Sequence, residues 1–271
     1  MLTDISLGQY YPGNSFIHKL DPRTKILSSL AYIIAVFLAA ESTSYAAVIG
    51  FLFVVIAFSR LPFILVLKSI KPLWIIILLT LWIHVFTGQG EVLWSWKYLI
   101  VTKEGLAMGI KMSLRLILLL MISSILTFTT SPIVLTDGIE AILKPFKKIG
   151  VPAHELAMMM TIALRFIPTL LEETDRIMKA QSARGADFTS GNIVRRAKNM
   201  LPILVPLFIS AFRRADELAV AMEARCYRGG EGRTRMHELV YQQRDMMAAC
   251  GVAALLAAMV ILKWGGFLCA I

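Results

Sequence analysis

Five apolar blocks, at about 25–40, 45–60, 72–88, 105–130 and 246–265, dominate this chain, and charged or turn-forming residues separate them. In lipid, a chain must satisfy its own backbone polar groups, so only helices and closed barrels span it. No alternating strand pattern of the kind a barrel requires is visible. The chain therefore reads as an all-α membrane protein with about five transmembrane helices. Its composition agrees: 57% of residues are hydrophobic and 17% charged, against about 45–50% and about 25% in a soluble domain. The first three blocks are short for helices that need about 20 residues to cross a bilayer, and flanking residues such as Leu20 to Lys25 extend them. The tight link from Glu41 to Ser44 makes the first two spans an antiparallel hairpin.

Basic residues set the expected orientation. Lys19, Arg23 and Lys25 precede the first span, and Arg60, Lys68 and Lys71 link the second to the third. The other links carry Glu41 alone, then Glu91, Lys97, Lys103 and Glu104, which cancel. Residues 131–245 hold 17 Lys/Arg against 13 Asp/Glu. An inside amino terminus with five spans puts every basic segment in the cytoplasm, as the positive-inside rule requires. The expected organisation is a cytoplasmic segment over 1–24 and a four-helix transmembrane region over 25–130. A cytoplasmic helical module over 131–245 follows, then the last span and a short external tail over 246–271. The net charge of +10 thus lies beside apolar spans, and no nucleic-acid partner is expected. Three cysteines imply no disulfide framework: Cys250 and Cys269 stand about 28 Å apart along one helix, beyond bridging distance. Met1 to Ser15 lacks the basic start and apolar stretch of a cleavable signal, so none is expected.

Within the module, Pro132 closes the fourth span, because proline donates no helical hydrogen bond and restrains Ser131 before it. A short helix is expected over about 134–144, then a break at Gly150-Val151-Pro152. Long helices over about 153–183 and 202–225 follow, too charged to span lipid. Glu172/Arg176, Asp175/Lys179 and Arg213/Glu217 form i,i+4 pairs on one face, with Leu156, Met160, Ala163, Ile167 and Leu171 on another.

These two helices end in nearly the same words: Gln181-Ser182-Ala183-Arg184-Gly185 and Met222-Glu223-Ala224-Arg225-Cys226. Asp175 and Asp216 each precede the arginine by nine residues, and Ala180 corresponds to Ala221. A single Ala-Arg-Gly ending is explained as a helix cap, since arginine complements the dipole and glycine takes the left-handed position. Repetition at matching register weakens that explanation, and Cys226, with its β-carbon, reads as a poor left-handed cap. An arginine fork at a helix end can also project into an acidic pocket and bind carboxylates in bidentate fashion.

Several segments together resemble one known family over nearly the whole chain. They are Gly8-Gln9-Tyr10-Tyr11-Pro12-Gly13-Asn14-Ser15, His18-Lys19-Leu20-Asp21-Pro22-Arg23-Thr24-Lys25, Thr129-Thr130-Ser131-Pro132, Ala163-Leu164-Arg165-Phe166-Ile167-Pro168 with Leu171-Glu172-Glu173, Gln181 to Gly185, and Ala221 to Gly229. The sequence resembles the transmembrane coupling (T) component of energy-coupling factor transporters, a branch of the ATP-binding cassette importers. The resemblance implies a non-catalytic subunit that couples ATP hydrolysis by two partner ATPases to micronutrient uptake through a separate substrate-binding (S) membrane subunit. It implies that Ala183, Arg184 and Gly185, and Ala224, Arg225 and Cys226, dock the two ATPases. Cys226 departs from the glycine common there. The amino-terminal sequence is more similar to shared, vitamin-type members than to metal-dedicated ones. Met158, Met159, Met160, Met178, Met200 and Met222 suit a surface that accepts several partners, although methionine at helical spacing also serves as core or lipid contact.

No phosphate-cradling Gly-x-x-x-x-Gly-Lys-Ser/Thr motif occurs. The expectation is no enzyme activity and no cofactor in this chain, with ATP and Mg held by the partner ATPases. No metal-ligand spacing is visible, and lone His84 reads as a helix-packing or interfacial residue rather than a ligand. The alternative is a self-contained secondary transporter of a small anionic solute. Its site would use Lys111 and Arg115, which share one face of the fourth span, or these residues contact a polar backbone group instead.

Overall fold

The computed structural model describes residues 10–39, 41–87, 91–96, 99–186, 188, 193–230 and 238–268. Gly8, Gln9, Lys97 and Cys269 lie outside the described residues. The described chain is built of helices: α1 (Pro22–Leu38), α2 (Ser42–Ser59), α3 (Phe63–Lys68), α4 (Trp74–Thr87), α5 (Lys103–Thr129), α6 (Pro132–Leu143), α7 (Ala153–Ala183), α8 (Ile193–Ala224) and α9 (Gln243–Leu268). Between α4 and α5 stands an antiparallel hairpin, β1 (Val92–Trp96) and β2 (Leu99–Thr102), with an irregularity between Val92 and Trp94. No strand was expected in that link. Thr102 then caps α5, its hydroxyl accepting from the Gly105 amide at 3.2 Å, and the Glu104 carboxylate accepts from the Glu91 amide at 2.8 Å.

The chain divides into two compact units, one of residues 8–138 and 238–271, the other centred on residues 139–237. In the first, α1 packs against α5, α9 and α2 around Tyr32, Val36, Val48, Leu52, Leu118, Ile122, Leu255 and Met259. The Tyr32 hydroxyl donates to the Val48 carbonyl at 3.2 Å. Large apolar side chains on the outside, such as Phe37, Phe58, Trp74, Ile75 and Trp82, are more than half exposed, which is the surface a lipid solvent permits.

Five helical stretches are long and apolar enough to cross a membrane: Ser42–Ser59, Phe63–Thr87, Lys103–Thr129, Ala153–Ala183 and Gln243–Lys263. The set differs from expectation at two places. The first block forms α1, of 17 residues, which reaches only about 25 Å. α7 qualifies although it was expected to be too charged, because its acidic and basic residues crowd into the half beyond Leu171 while the first half holds only Glu155 and Arg165. α8 also begins earlier than expected, running through both Pro202 and Pro206.

The amino-terminal motif forms a buried polar knot where helix ends meet. Asp21 caps α1 by accepting from the Arg23 amide at 2.9 Å, and Pro22 occupies the first helical turn, where its missing N–H costs nothing. Asp21's own amide donates to Asp245 at 2.8 Å, and the Gln242 amide donates to the other Asp245 oxygen at 2.8 Å. Lys25 Nζ donates to the carbonyls of His18 at 3.1 Å and Thr129 at 3.0 Å and to the Thr130 hydroxyl at 3.3 Å. A cation on the last carbonyls of α5 also complements that helix's dipole. Gly138 of α6 touches the start of α1 so closely that a β-carbon would stand 2.9 Å from Pro22.

Arg115 also has a structural partner. Its Nη2 donates to the Ala39 carbonyl at the end of α1 at 3.3 Å, and the guanidinium lies 5.5 Å from the Phe37 ring centroid. His84 bonds to the Thr80 carbonyl one turn back in its own helix at 2.8 Å.

The Asp245 carboxylate is 3% exposed and serves two backbone amides. Asp245→Ala orphans both, at a cost of about 1–3 kcal/mol. The expected outcome is a lowered unfolding midpoint in detergent; an unchanged midpoint contradicts the role given to the knot.

Candidate functional site

The two arginine endings lie in the second unit, at the ends of α7 and α8. Each helix closes with the same hydrogen-bonded turn. At the first, the Gly185 amide donates to Ser182 and the Ala186 amide to Gln181, both at 3.0 Å. At the second, the Cys226 amide donates to Glu223 at 2.8 Å and the Tyr227 amide to Met222 at 3.0 Å. Both are Schellman turns, with the arginine at the cap and the next residue left-handed. Gly185 has φ 87° and Cys226 has φ 56°.

This corrects the expectation about Cys226. It occupies the left-handed position despite its β-carbon, so a common backbone turn accounts for both endings. The cost of a left-handed side-chain-bearing residue, roughly 1–2 kcal/mol, is borne at the second ending alone. Ala183, Arg184, Gly185, Ala224, Arg225 and Cys226 are all exposed.

α7 and α8 run antiparallel. Arg214 Nη2 donates to Glu173 Oε2 at 3.2 Å, while near the start of α7 the His154 imidazole meets the Tyr227 hydroxyl at 3.4 Å. The structure therefore does not bring the two arginines together. Each lies eleven residues beyond the Glu173–Arg214 contact, in opposite directions, about 16 Å each way and about 33 Å in all along the hairpin. Of the three expected i,i+4 pairs, Asp175–Lys179 closes, at 3.2 Å. The other two do not close among the described residues; Glu172, Arg176, Arg213 and Glu217 face solvent.

The second ending has a local brace, in which Glu140 and His154 were not singled out in the sequence. His154 Nδ1 lies 3.1 Å from Glu140 Oε1, and its Nε2 faces Tyr227, one residue past Cys226. Gly230 crosses the imidazole so closely that any β-carbon there would collide with it. Beside this brace, a cleft of about 780 Å³ is lined by Met158, Arg165, Phe166, Met222, Arg225 and Arg228, among others. Three arginines line this one cleft, and arginine grips carboxylate ligands through paired N–H donors. Arg165 carried only a motif resemblance in the sequence. No local spacing pairs it with Arg225, 60 positions away, and only the antiparallel packing does so.

A family model described as CbiQ, Cobalt transport protein, matches residues 13–237. The chain is 71% identical to the energy-coupling factor transporter transmembrane protein EcfT of Acidaminococcus fermentans, over 98% of this chain and 99% of the relative. The EcfT of Clostridium kluyveri is 56% identical over 98% of this chain and 100% of its own. That of Bacillus subtilis is 47% identical over 97% and 100%.

Replacing Cys226 by glycine removes the left-handed penalty and is expected to stabilise the chain by about 1 kcal/mol, while Gly185→Ala destabilises it by a similar amount. Thermal unfolding in detergent reads both. A destabilised Cys226→Gly variant contradicts the turn described here.

Proposed function

The chain belongs to the family of transmembrane (T) components of energy-coupling factor transporters, and from that premise we propose that it docks two ATP-binding-cassette ATPases through its two arginine endings. Arg184 and Arg225 insert into acidic pockets of two ATPase subunits, which hold ATP and Mg. α7 and α8 carry the ATPases' closure to the membrane-embedded unit. A separate S subunit, held by the transmembrane helices and the arginine-tipped pair, supplies the substrate site. The transported solute is a vitamin or similar micronutrient, a reading carried by the amino-terminal resemblance to shared, vitamin-type members. On this reading the chain is a transport subunit with no ATPase site of its own, and residues 131–245 and the amino terminus face the cytoplasm.

One observation favours this reading most: two exposed arginines on identical turns stand at opposite ends of one antiparallel pair. A single partner cannot easily reach both ends, whereas two partners side by side can. The cleft holding Arg165, Arg225 and Arg228 adds a cationic surface at one end. The secondary-transporter reading loses support, because Arg115 is engaged by the end of α1.

The test is the pair of substitutions Arg184→Ala and Arg225→Ala. Together they are expected to abolish co-purification of the ATPases and ATP-dependent uptake, while the chain remains folded in the membrane. Each alone weakens attachment, since the other ending still holds its subunit. If the double variant retains both ATPases and transports normally, the arginines are helix caps and nothing more.

A further inference from the structure

The contact at the middle of the hairpin joins equivalent positions of the two copies. Glu173 and Arg214 are 41 residues apart, the same offset that relates Arg184 to Arg225. When two antiparallel copies touch at equivalent positions, the contact lies on the axis that interchanges them. The two endings are then equidistant from it.

Three charges around this point are inverted between the copies, while Asp175 and Asp216 keep the same sign. The first carries Glu172, Glu173 and Arg176 where the second carries Arg213, Arg214 and Glu217. Equal charges at the crossing would repel; inverted ones attract. The same inversion penalises a slip. Moving one helix by about one turn in one direction sets Glu173 against Glu217 and Arg176 against Arg214, two like-charge contacts at once. A slip the other way puts Glu173 near Ser210 and Ala211, and Arg214 near Thr169 and Leu170, so the ion pair is lost with nothing in return.

We propose that Glu173 and Arg214 are positioning residues that select the register of α7 against α8, and through it the spacing of the two arginine endings. The significance of that spacing rests on the docking function proposed above. The side chains are 27% and 34% exposed, so the pair is too solvated to hold the helices together by itself. It acts by choosing among registers that apolar packing alone leaves close in energy. One turn of slip changes the separation of the endings by about 5.4 Å, a mismatch that two rigid docking pockets would not tolerate.

The experiment measures the separation of the endings in the full chain by pulsed electron spin resonance. Spin labels are placed at Ser182→Cys and at native Cys226, with Cys250 and Cys269 replaced by serine. The unaltered pair is expected to give one narrow distance distribution. Glu173→Arg and Arg214→Glu each broaden it or shift it by about one helical turn. The exchange of both charges, Glu173→Arg with Arg214→Glu, makes both contacts of the slipped register attractive, with position 173 against Glu217 and Arg176 against position 214, and is expected to give a narrow distribution displaced by about one helical turn. Glu173→Gln, which keeps the shape and removes the charge, broadens it without the shift. Unchanged distances in the single reversals overturn the proposal, as does a charge exchange that keeps the parent distance while circular dichroism and elution volume match the parent. ATPase capture is measured on the same charge variants with Ser182 and Cys226 native and unlabelled. Distances that obey the charge rule while capture is indifferent support the register role and count against the docking reading, so the two claims fail separately.

Discussion

The antiparallel contact of α7 with α8 is the constraint on which the functional half of this molecule depends. A terminal arginine is aimed only as well as the helix that carries it, and each of these helices carries one arginine past the crossing at Glu173 and Arg214. Parallel packing of the same two helices would put both arginines at one end. Antiparallel packing separates them by about 33 Å. The ion pair itself, being partly exposed, contributes roughly 0.2–1 kcal/mol. What the ion pair adds is a preference among alignments, and alignment is the quantity a two-ended lever must control.

The unit of residues 8–138 and 238–271 solves a different problem. Its helices present apolar side chains outward, where lipid imposes no penalty, and concentrate polar groups at helix ends. Asp21, Lys25 and Asp245 satisfy backbone groups at the ends of α1, α5 and α9. Arg115 does the same at the other end of α1. A cation or carboxylate in such a place is costly unless its hydrogen-bonding capacity is used, and here it is spent on orphaned carbonyls and amides. The two arginine endings differ from this pattern because they are exposed, with their donors free to meet a partner.

Much of this was legible in the sequence, and the failures have physical causes. α7 was read to its boundaries because Gly150-Val151-Pro152 and Ala183-Arg184-Gly185 are local signals that stop a helix on both sides. α8 was read nine residues too short, since Pro202 looks like a first-turn residue and only tertiary packing carries a helix through it and Pro206 as well. The hairpin at Val92–Thr102 is too short to show a clear alternation against its apolar surroundings. Cys226 departs from expectation because intrinsic preference disfavours a left-handed cysteine, whereas the turn's two backbone hydrogen bonds at 2.8 and 3.0 Å hold it there. The arginine endings were visible as a repeat. The pairings of His154 with Tyr227 and of Glu173 with Arg214, and the approach of Arg165 to Arg225, were not, because the partners lie 41 to 73 positions apart. A single sequence does not announce which residues antiparallel helices will juxtapose.

The most direct test of the central claim places a photo-crosslinking amino acid at position 183 or 226 of the full chain within its assembled complex. The account predicts that each position captures an ATPase subunit. With both positions substituted, one chain should carry two ATPase subunits at once, resolved by mass spectrometry. If an intact complex forms and neither position captures an ATPase, the arginine endings are not where this protein meets its motor.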